Sequence, residues 1–225
     1  MTILQTEYQK IYEAVRNAII SGEYSPGEKL PQRKLAERFN GTTITIREVL
    51  RTLEKDKLIV MIPKWGAIVE EITEEKIYGK YAVREALEAM AAKLACQKID
   101  NEEKKKLIKL AKRSDKDLLS DNLSPLEKAN LHYTLHEEIV NTTGCNELIE
   151  AINQENLYLI LLQNAYHINW KSNKPNWHTL LVKAIISRDP DFAEKTMKEH
   201  VRVGCRMEIE AFRNGKKDLT GLPGR

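Results

Sequence analysis

Hydrophobic residues in the first 70 positions follow two different periods. The earlier ones recur every three to four residues, as in an amphipathic helix, and Gly, Pro and Asn interrupt them twice. The later ones form two short β-branched runs on either side of the turn residues 63–66, which is typical of a β-hairpin. The pattern therefore predicts three helices and one hairpin, over residues 7–21, 31–39, 43–56 and 58–69.

From Thr73 onward only the helical period remains, with capping residues and prolines between the apolar stripes. The predicted helices cover residues 73–98, 101–119, 124–142, 146–169, 176–187 and 190–213. We therefore expect a mainly α fold, with a winged helix-turn-helix in residues 1–70 and an all-α bundle of six to seven helices in residues 73–213. A small α+β domain without a nucleic-acid role is the alternative for the first part. Gly and Pro residues in 214–225 predict a disordered tail.

Composition narrows the class of protein. Of the 225 residues, 42% are apolar and 31% are charged, which favours a folded protein of two modest domains. Three separate Cys residues without a CxxC pair exclude a disulfide framework and a Cys-type zinc finger, and favour a reducing compartment. The longest apolar run, 157–162, is far shorter than the ~20 residues of a membrane span. With no signal peptide in the first residues, we expect a cytoplasmic protein without a membrane partner.

Positive charge is concentrated in the predicted winged helix-turn-helix. The whole chain carries +3, whereas residues 29–64 hold nine Lys or Arg and four Asp or Glu, a net 9 − 4 = +5. A local basic face is what neutralises DNA phosphates. A solvated helix surface would look the same by charge alone, but the order of the elements favours DNA binding.

The third predicted helix is the candidate recognition helix, which lies in the major groove in this motif. Candidate DNA-contacting residues at its start are Thr42, Thr43, Ile44, Thr45 and Arg47. The Arg47 guanidinium is suited to a guanine edge or a phosphate. The hairpin tip adds Lys64, Trp65 and Gly66.

Histidine spacing is the second chemical signal. His132 and His136 are four residues apart and share one helix face, while His178 and His200 lie on two later helices. A helical bundle can bring such residues around one cavity, and imidazole suits zinc, nickel or iron. Surface histidines are the alternative from spacing alone. His167 fits no pattern.

Residues 8–69 resemble the GntR-type winged-helix repressors. The matching stretches are Ala18–Gly22, Pro26–Leu30, Leu35–Phe39, Arg47–Leu53, Lys57–Ile59 and Gly66–Val69. The resemblance implies DNA contacts for Arg33 and Arg47, and a double-stranded DNA operator as partner. Thr43 stands where the family has an Arg, Thr45 where it has a Pro, and Gly41 where it has a Val, which affects the operator sequence that is recognised.

The second part is similar to the FCD type, the all-helical effector domain of the FadR-like branch. The matching stretches are Arg84–Glu88, Leu135–Ile139, Trp177–His178 and Ala193–His200. In the metal-binding members of this type, His stands at the positions of His136, His178 and His200, so the resemblance implies these ligands for a divalent metal such as zinc or nickel. His132 stands where the type usually has Asp or Asn, which makes it the fourth candidate ligand.

Arg84 has two alternative roles. Its forked guanidinium suits the carboxylate of a small effector, but it can equally pair with Glu88. With the first role, the chain is a ligand-responsive transcriptional repressor that senses a small organic acid and binds its operator as a homodimer. The alternatives are a constitutive dimeric DNA-binding protein and a metal-dependent hydrolase. Because no HExxH or other catalytic motif occurs, we expect no enzyme activity.

Overall fold

The computed structural model describes residues 6–168 and 176–220, and only the backbone at 157–159, 164–165 and 215–220. The chain divides into two compact units, Met1–Ile72 and Thr73–Arg225. No helix among the described residues is long and apolar enough to cross a bilayer.

The first unit contains three helices and a two-stranded sheet. They are α1 (Glu7–Ile20), α2 (Gln32–Arg38), α3 (Thr43–Lys55), β1 (Ile59–Ile62) and β2 (Gly66–Val69). The strands are antiparallel, with Ile59 opposite Val69. Fully buried aliphatic side chains from α1 and α3, including Val15 and Val49, form the core. The three helices and the hairpin that the sequence predicts are all present.

Short backbone contacts shape the turns of the first unit. The Leu30 N–H donates to the Ala67 carbonyl at 2.9 Å, which joins the segment before α2 to the hairpin. Between α2 and α3, a Cβ on Gly41 would lie 2.5 Å from Ile11 Cδ1. A glycine at this position therefore lets α1 pack closely against the helix-turn-helix turn.

In its described residues, 73–168 and 176–220, the second unit is a bundle of seven helices. They are α4 (Glu74–Lys98), α5 (Asn101–Asp117), α6 (Pro125–Asn141), α7 (Asn146–Gln154), α8 (Leu157–His167), α9 (Trp177–Ile186) and α10 (Pro190–Thr220). Helices α4 and α10 are antiparallel, since Glu74 pairs with Arg213 at 2.7 Å and Glu85 with Arg202 at 2.6 Å. Their facing residues, among them Ile77, Ala92, Met197 and Val201, belong to the main core cluster of this unit.

Two boundaries differ from the prediction. The single helix predicted over 146–169 is two helices, because Asn156 has a left-handed φ of 50° that ends the first of them. Helix α10 continues to Thr220, so residues 214–220 are helical rather than part of a disordered tail. Gly215 costs this helix only about 1 kcal/mol, and Lys216 and Lys217 favour it. Residues 169 and 221–225 lie outside the described part of the chain.

Candidate metal centre and nucleic-acid interface

The start of α3 presents the predicted recognition residues to solvent. The Thr42 side chain caps the helix by accepting the Thr45 N–H at 3.1 Å, and the Thr45 hydroxyl lies 2.9 Å from that of Thr42. Thr43 and Arg47 are exposed, and Ile44 is 74% exposed although it is aliphatic. The opposite face of α3 supplies the core, so this helix has one buried side and one side that can enter a groove.

Of the other predicted DNA contacts, Arg33, Lys64 and Trp65 are exposed and Gly66 is half-buried. Arg33 lies in the first turn of α2 and pairs with Glu37 at 3.1 Å, with 92% of its side chain exposed. At the hairpin tip, Trp65 is 64% exposed and the Lys29 ammonium lies 3.9 Å from its ring centroid. Lys64 and Gly66 have left-handed φ values of 67° and 89°, which form the tight turn.

In the second unit, four buried imidazoles come together from three helices. Helix α6 supplies His132 and His136, α9 supplies His178 and α10 supplies His200. The Nε2 atom of His136 lies 3.0 Å from Nε2 of His132 and 3.2 Å from Nε2 of His200. The His178 ring centroid is 5.0 Å from that of His132 and 5.2 Å from that of His200. His167, in contrast, is exposed at the end of α8 and outside this cluster.

The spacing of these nitrogens fits a shared metal. Histidine nitrogens that lie about 2.0–2.1 Å from one ion are about 2.9–3.4 Å from each other at coordination angles of 90–109°. Ligand nitrogens of His132, His136 and His200 lie within 4.8 Å of one another. The buried Nε2 atom of His178 has no hydrogen-bond partner among the described residues. A divalent ion would satisfy such a lone pair, so the residues present fit a metal.

The Glu88 carboxylate orients His136. Its Oε2 lies 2.5 Å from His136 Nδ1, and its Oε1 accepts the Arg84 Nε–H at 2.7 Å. Burial raises the pKa of Glu88, but the charges of Arg84 and His136 outweigh burial and lower the pKa to about 2. The carboxylate is therefore ionised, accepts the Nδ1–H of His136 and leaves Nε2 with its lone pair toward the cluster.

A second carboxylate does the same for His178. Asp115 Oδ1 lies 3.0 Å from His178 Nδ1. Burial raises the pKa of Asp115, but hydrogen bonds from His178 and Thr179 outweigh it and lower that pKa. Carboxylate partners of this kind are typical of histidines that bind metals, because they fix the ring tautomer and orientation.

Three imidazoles of the cluster, His132, His178 and His200, are held in the neutral form. Burial, reinforced by neighbouring imidazoles, lowers the pKa of His132 and of His200 well below the ordinary value. Burial also lowers the pKa of His178, against the opposing effect of Asp115. Neutral imidazole is the form that binds a metal, so these three residues do not have to lose protons before an ion enters.

A small cavity adjoins the cluster. Its volume is about 20 Å³, which suffices for one water molecule or an ion. Arg84, Trp177 and Gly204 are among the residues that line it, together with His132, His178 and His200. The Trp177 ring stacks on His200 with the centroids 5.6 Å apart. Arg84 is only 4% exposed, so it takes the predicted alternative partner, Glu88, while it also borders the cavity.

The structure brings together all four predicted histidines and adds three residues that the prediction did not assign to the site. The sequence predicts Glu88 only as a partner for Arg84, and it predicts no role in the site for Asp115 or Trp177. The i,i+4 spacing of Arg84 and Glu88 is apparent in the sequence, but ion pairs with this spacing usually lie on the exposed surface of a helix. No sequence signal marks Asp115, because its contact with α9 spans 63 residues.

Comparisons with known proteins agree with both units. The family model described as "Bacterial regulatory proteins, gntR family" matches residues 7–69, and the "FCD domain" model matches residues 80–203.

Relatives of known name are regulators of transcription. The chain is 28% identical to an uncharacterised HTH-type regulator, YdhC of Bacillus subtilis, over 65% of this chain and 66% of that protein. It is 25% identical to the repressor GlaR of Escherichia coli over 84% and 90% of the two chains. It is also 25% identical to the Uxu operon regulator of Haemophilus influenzae over 88% and 80%.

Solved structures support the same fold. E. coli McbR/YncC superposes with a TM-score of 0.64 at 17% identity, covering 90% of this chain and 99% of that one. A GntR regulator from Rhodococcus gives the same TM-score and identity, with 92% and 99% covered. The chain therefore belongs to the GntR family of bacterial DNA-binding transcriptional regulators, with an FCD domain after its winged helix-turn-helix.

Proposed function

We propose that this regulator is a repressor that responds to a small organic acid and holds a divalent transition metal among His132, His136, His178 and His200. The observation that carries the proposal is the buried group of four imidazoles. The nitrogens of His132, His136 and His200 converge, and Glu88 and Asp115 orient the rings of His136 and His178. A bundle core without a ligand would gain more stability from aliphatic residues at these positions.

The donor set supports zinc or nickel. Four imidazoles offer only nitrogen ligands, which suit these ions better than magnesium or calcium. Imidazole ligands add no negative charge, so a bound ion would keep its full +2 charge. When bound, such an ion would supply positive charge that attracts an anionic oxygen. His132 helps to preserve the charge of the ion, because a neutral imidazole stands where an acidic ligand would partly cancel that charge.

The cavity sets a condition on the effector. At about 20 Å³ it holds an ion or a water molecule but no organic acid. A carboxylate would therefore enter only after the lining opens around Trp177 and Arg84. Arg84 would then exchange part of its pairing with Glu88 for pairing with the effector, which offers the same bidentate geometry.

The first unit supports binding to an operator as a homodimer. Its exposed α3 face fits the major groove, with Arg33 and Arg47 as the positive contacts and Lys64 and Trp65 at the hairpin tip against the backbone. Two half-sites need two recognition helices, so one operator would take two chains. Two relatives, GlaR and RspR of E. coli, are named repressors, which favours repression over activation.

Two measurements on the full chain test the proposal. Elemental analysis of protein purified without added metal is expected to show about one zinc or nickel per chain, and a His136→Ala, His178→Ala double variant is expected to lose it. Titration of small mono- and dicarboxylic acids into a complex with DNA selected from a random library is expected to change the affinity for that DNA. No response to any acid with metal present would contradict the effector role.

The Arg84–Glu88 pair favours a second candidate function. Because Arg84 is already paired at 2.7 Å in a buried site, the helical unit can be a dimerisation domain without an effector. In that case the DNA affinity is the same with and without metal and acids, and the His136→Ala, His178→Ala double variant binds DNA like the unchanged chain.

A further inference from the structure

Asp115 contacts the start of α9 with both carboxylate oxygens. Oδ1 accepts the His178 backbone N–H at 2.8 Å and lies 3.0 Å from His178 Nδ1. Oδ2 accepts the Thr179 backbone N–H at 2.9 Å. One side chain on α5 therefore binds the backbone of two residues and the imidazole of one of them.

Helix α9 depends on this contact because it has no cap of its own. Asn176 precedes the helix with left-handed φ and ψ values of 64° and 24°, and its side chain makes no capping hydrogen bond. The first N–H groups of a helix need acceptors from outside the helix, and a carboxylate also suits the positive end of the helix dipole. Asp115 is this acceptor, although it lies on a different helix.

The same carboxylate determines the tautomer of His178. With Nδ1–H donating to Oδ1, the Nε2 atom carries the lone pair. His178 Nε2 is buried and has no hydrogen-bond partner among the described residues. The His178 ring lies edge-on to His132, at 80° between the ring planes, and next to His200. The orientation that Asp115 imposes is thus the one in which His178 carries its lone pair on Nε2, beside the cavity that it lines together with His132 and His200.

We propose that Asp115 is a positioning residue for the metal, which makes His178 a ligand and joins metal binding to the start of α9. The inference rests on the proposed function, since it assumes that the cluster binds a metal. It differs from the role of Glu88, which is paired with Arg84 and would stay buried in an ion pair without any metal. Asp115 instead meets N–H groups that belong to α9.

Titration of the full chain with Co²⁺ tests the proposal, because Co²⁺ reports its ligands by visible absorption. Asp115→Ala is expected to weaken Co²⁺ binding about 10- to 100-fold, the usual effect of removing such a partner. Its spectrum at saturation is expected to differ from that of the unchanged chain. Asp117→Ala is the matched control, because Asp117 lies on the same helix and pairs with Arg113 at the surface. This control is expected to bind Co²⁺ like the unchanged chain.

A double-mutant cycle separates positioning from general support of the fold. In a His178→Ala background, Asp115→Ala is expected to change the Co²⁺ affinity less than about twofold. An equal loss in both backgrounds would mean that Asp115 acts only through the fold, and would overturn the proposal. If the unchanged chain and Asp115→Ala bind Co²⁺ equally, this inference alone fails. If the unchanged chain binds no Co²⁺, the proposed metal function fails with it.

Asp115→Asn keeps the inference testable if the alanine variant does not fold. The amide retains one acceptor oxygen and nearly the same shape, but it loses the charge and turns an NH₂ group toward the N–H groups of α9. Circular dichroism checks that it folds. We expect at least about a fivefold loss of Co²⁺ affinity that disappears in the His178→Ala background. Equal affinity of Asp115→Asn and the unchanged chain would overturn the proposal.

Discussion

The two units place their candidate functional residues in opposite environments. In the first unit, Ile44 is 74% exposed and Trp65 is 64% exposed. In the second unit, His136 and His178 are 1% and 3% exposed and lie within the core of the bundle. DNA is read from outside and needs projecting side chains, whereas an ion is held by convergent ones. A substitution of a candidate functional residue in the first unit is therefore expected to change function without changing stability. In the second unit such a substitution is expected to change both.

The coupling follows from the cost of buried polar groups. Arg84, Glu88 and His136 form a chain of hydrogen bonds that is fully removed from water, so each member satisfies the next. Removal of Glu88, the middle member, takes this hydrogen-bond partner from both Arg84 and His136. No such penalty applies to Arg33 and Glu37, which water solvates whether or not they pair.

The largest expected effect is that of Glu88→Ala. It leaves the Arg84 guanidinium buried without its carboxylate and removes the partner of His136, so we expect the free energy of unfolding to fall by about 3–5 kcal/mol. Urea unfolding followed by circular dichroism measures this change. Glu37→Ala breaks an ion pair of the same i,i+4 spacing on the surface, and no measurable change is expected there. A similar loss in both variants would remove the contrast between the units.

Metal addition is expected to stabilise only the second unit. A ligand that binds the folded state at 1,000 times its Kd stabilises by about 4 kcal/mol. We expect a shift of this size in the melting of the unchanged chain with excess Zn²⁺, and none with His136→Ala. Arg47→Ala is expected to keep the full shift, since it lies in the other unit. A shift that survives in His136→Ala would place the ion elsewhere.

Mild acid is expected to destabilise the second unit selectively, because all five histidines lie in it. Burial lowers the pKa of His132 and His200 well below 6.5 in the folded state, so the unfolded state takes up protons first as the pH falls. The part of the free energy of unfolding that depends on these two histidines is fully present above pH 6.5 and is lost progressively below it. From pH 6.5 to 5.5 each histidine contributes about 1 kcal/mol, about 2 kcal/mol in total.

Hydrogen exchange at several pH values, with metal removed, resolves the two units separately. Amides of α6 and α10 are expected to lose protection between pH 6.5 and 5.5, after correction for intrinsic rates. Amides of α1 and α3 are expected to keep theirs. Equal losses in both units would contradict the assignment of the pH response to the buried imidazoles.

The smallest expected effect on the fold, and a clear one on function, is that of Arg47→Ala. Loss of a base or phosphate contact is expected to weaken binding to selected operator DNA by about 1–3 kcal/mol, while stability stays within about 0.5 kcal/mol. Fluorescence anisotropy with labelled DNA measures the affinity. Arg202→Ala removes an equal charge from the second unit, where Arg202 pairs with Glu85, and is expected to bind DNA normally. Equal losses in both variants would mean that charge alone matters.

Much of the fold follows from local chemistry that the sequence displays. Thr42 caps α3 and Ser124 caps α6 before a proline, so both starts are predictable from side chains that satisfy the first N–H groups. The break at Asn156 has only a weak local signal, because asparagine adopts left-handed φ more readily than most residues but also occurs within helices. The sequence also does not predict that residues 214–220 are helical, because a single Gly weakens a helix without ending it.

The candidate site shows the same limit. The spacing of His132 and His136 places both on one face of α6, so the cluster can be anticipated. The two carboxylates that support the cluster cannot be anticipated from the sequence. Glu88 meets His136 across 48 residues and Asp115 meets His178 across 63, and only the packing of four helices brings these pairs together.

The stacking of Trp177 on His200 gives the protein an internal optical reporter. The two ring centroids are 5.6 Å apart, so if the proposed site binds a paramagnetic ion such as Ni²⁺, the fluorescence of this indole is expected to fall. Trp65, on the exposed hairpin tip of the other unit, emits from water and responds to DNA instead. Trp170 is the third tryptophan of the chain and would be replaced by phenylalanine. In one emission spectrum, the blue edge would then report Trp177 in the second unit and the red edge would report Trp65 in the first.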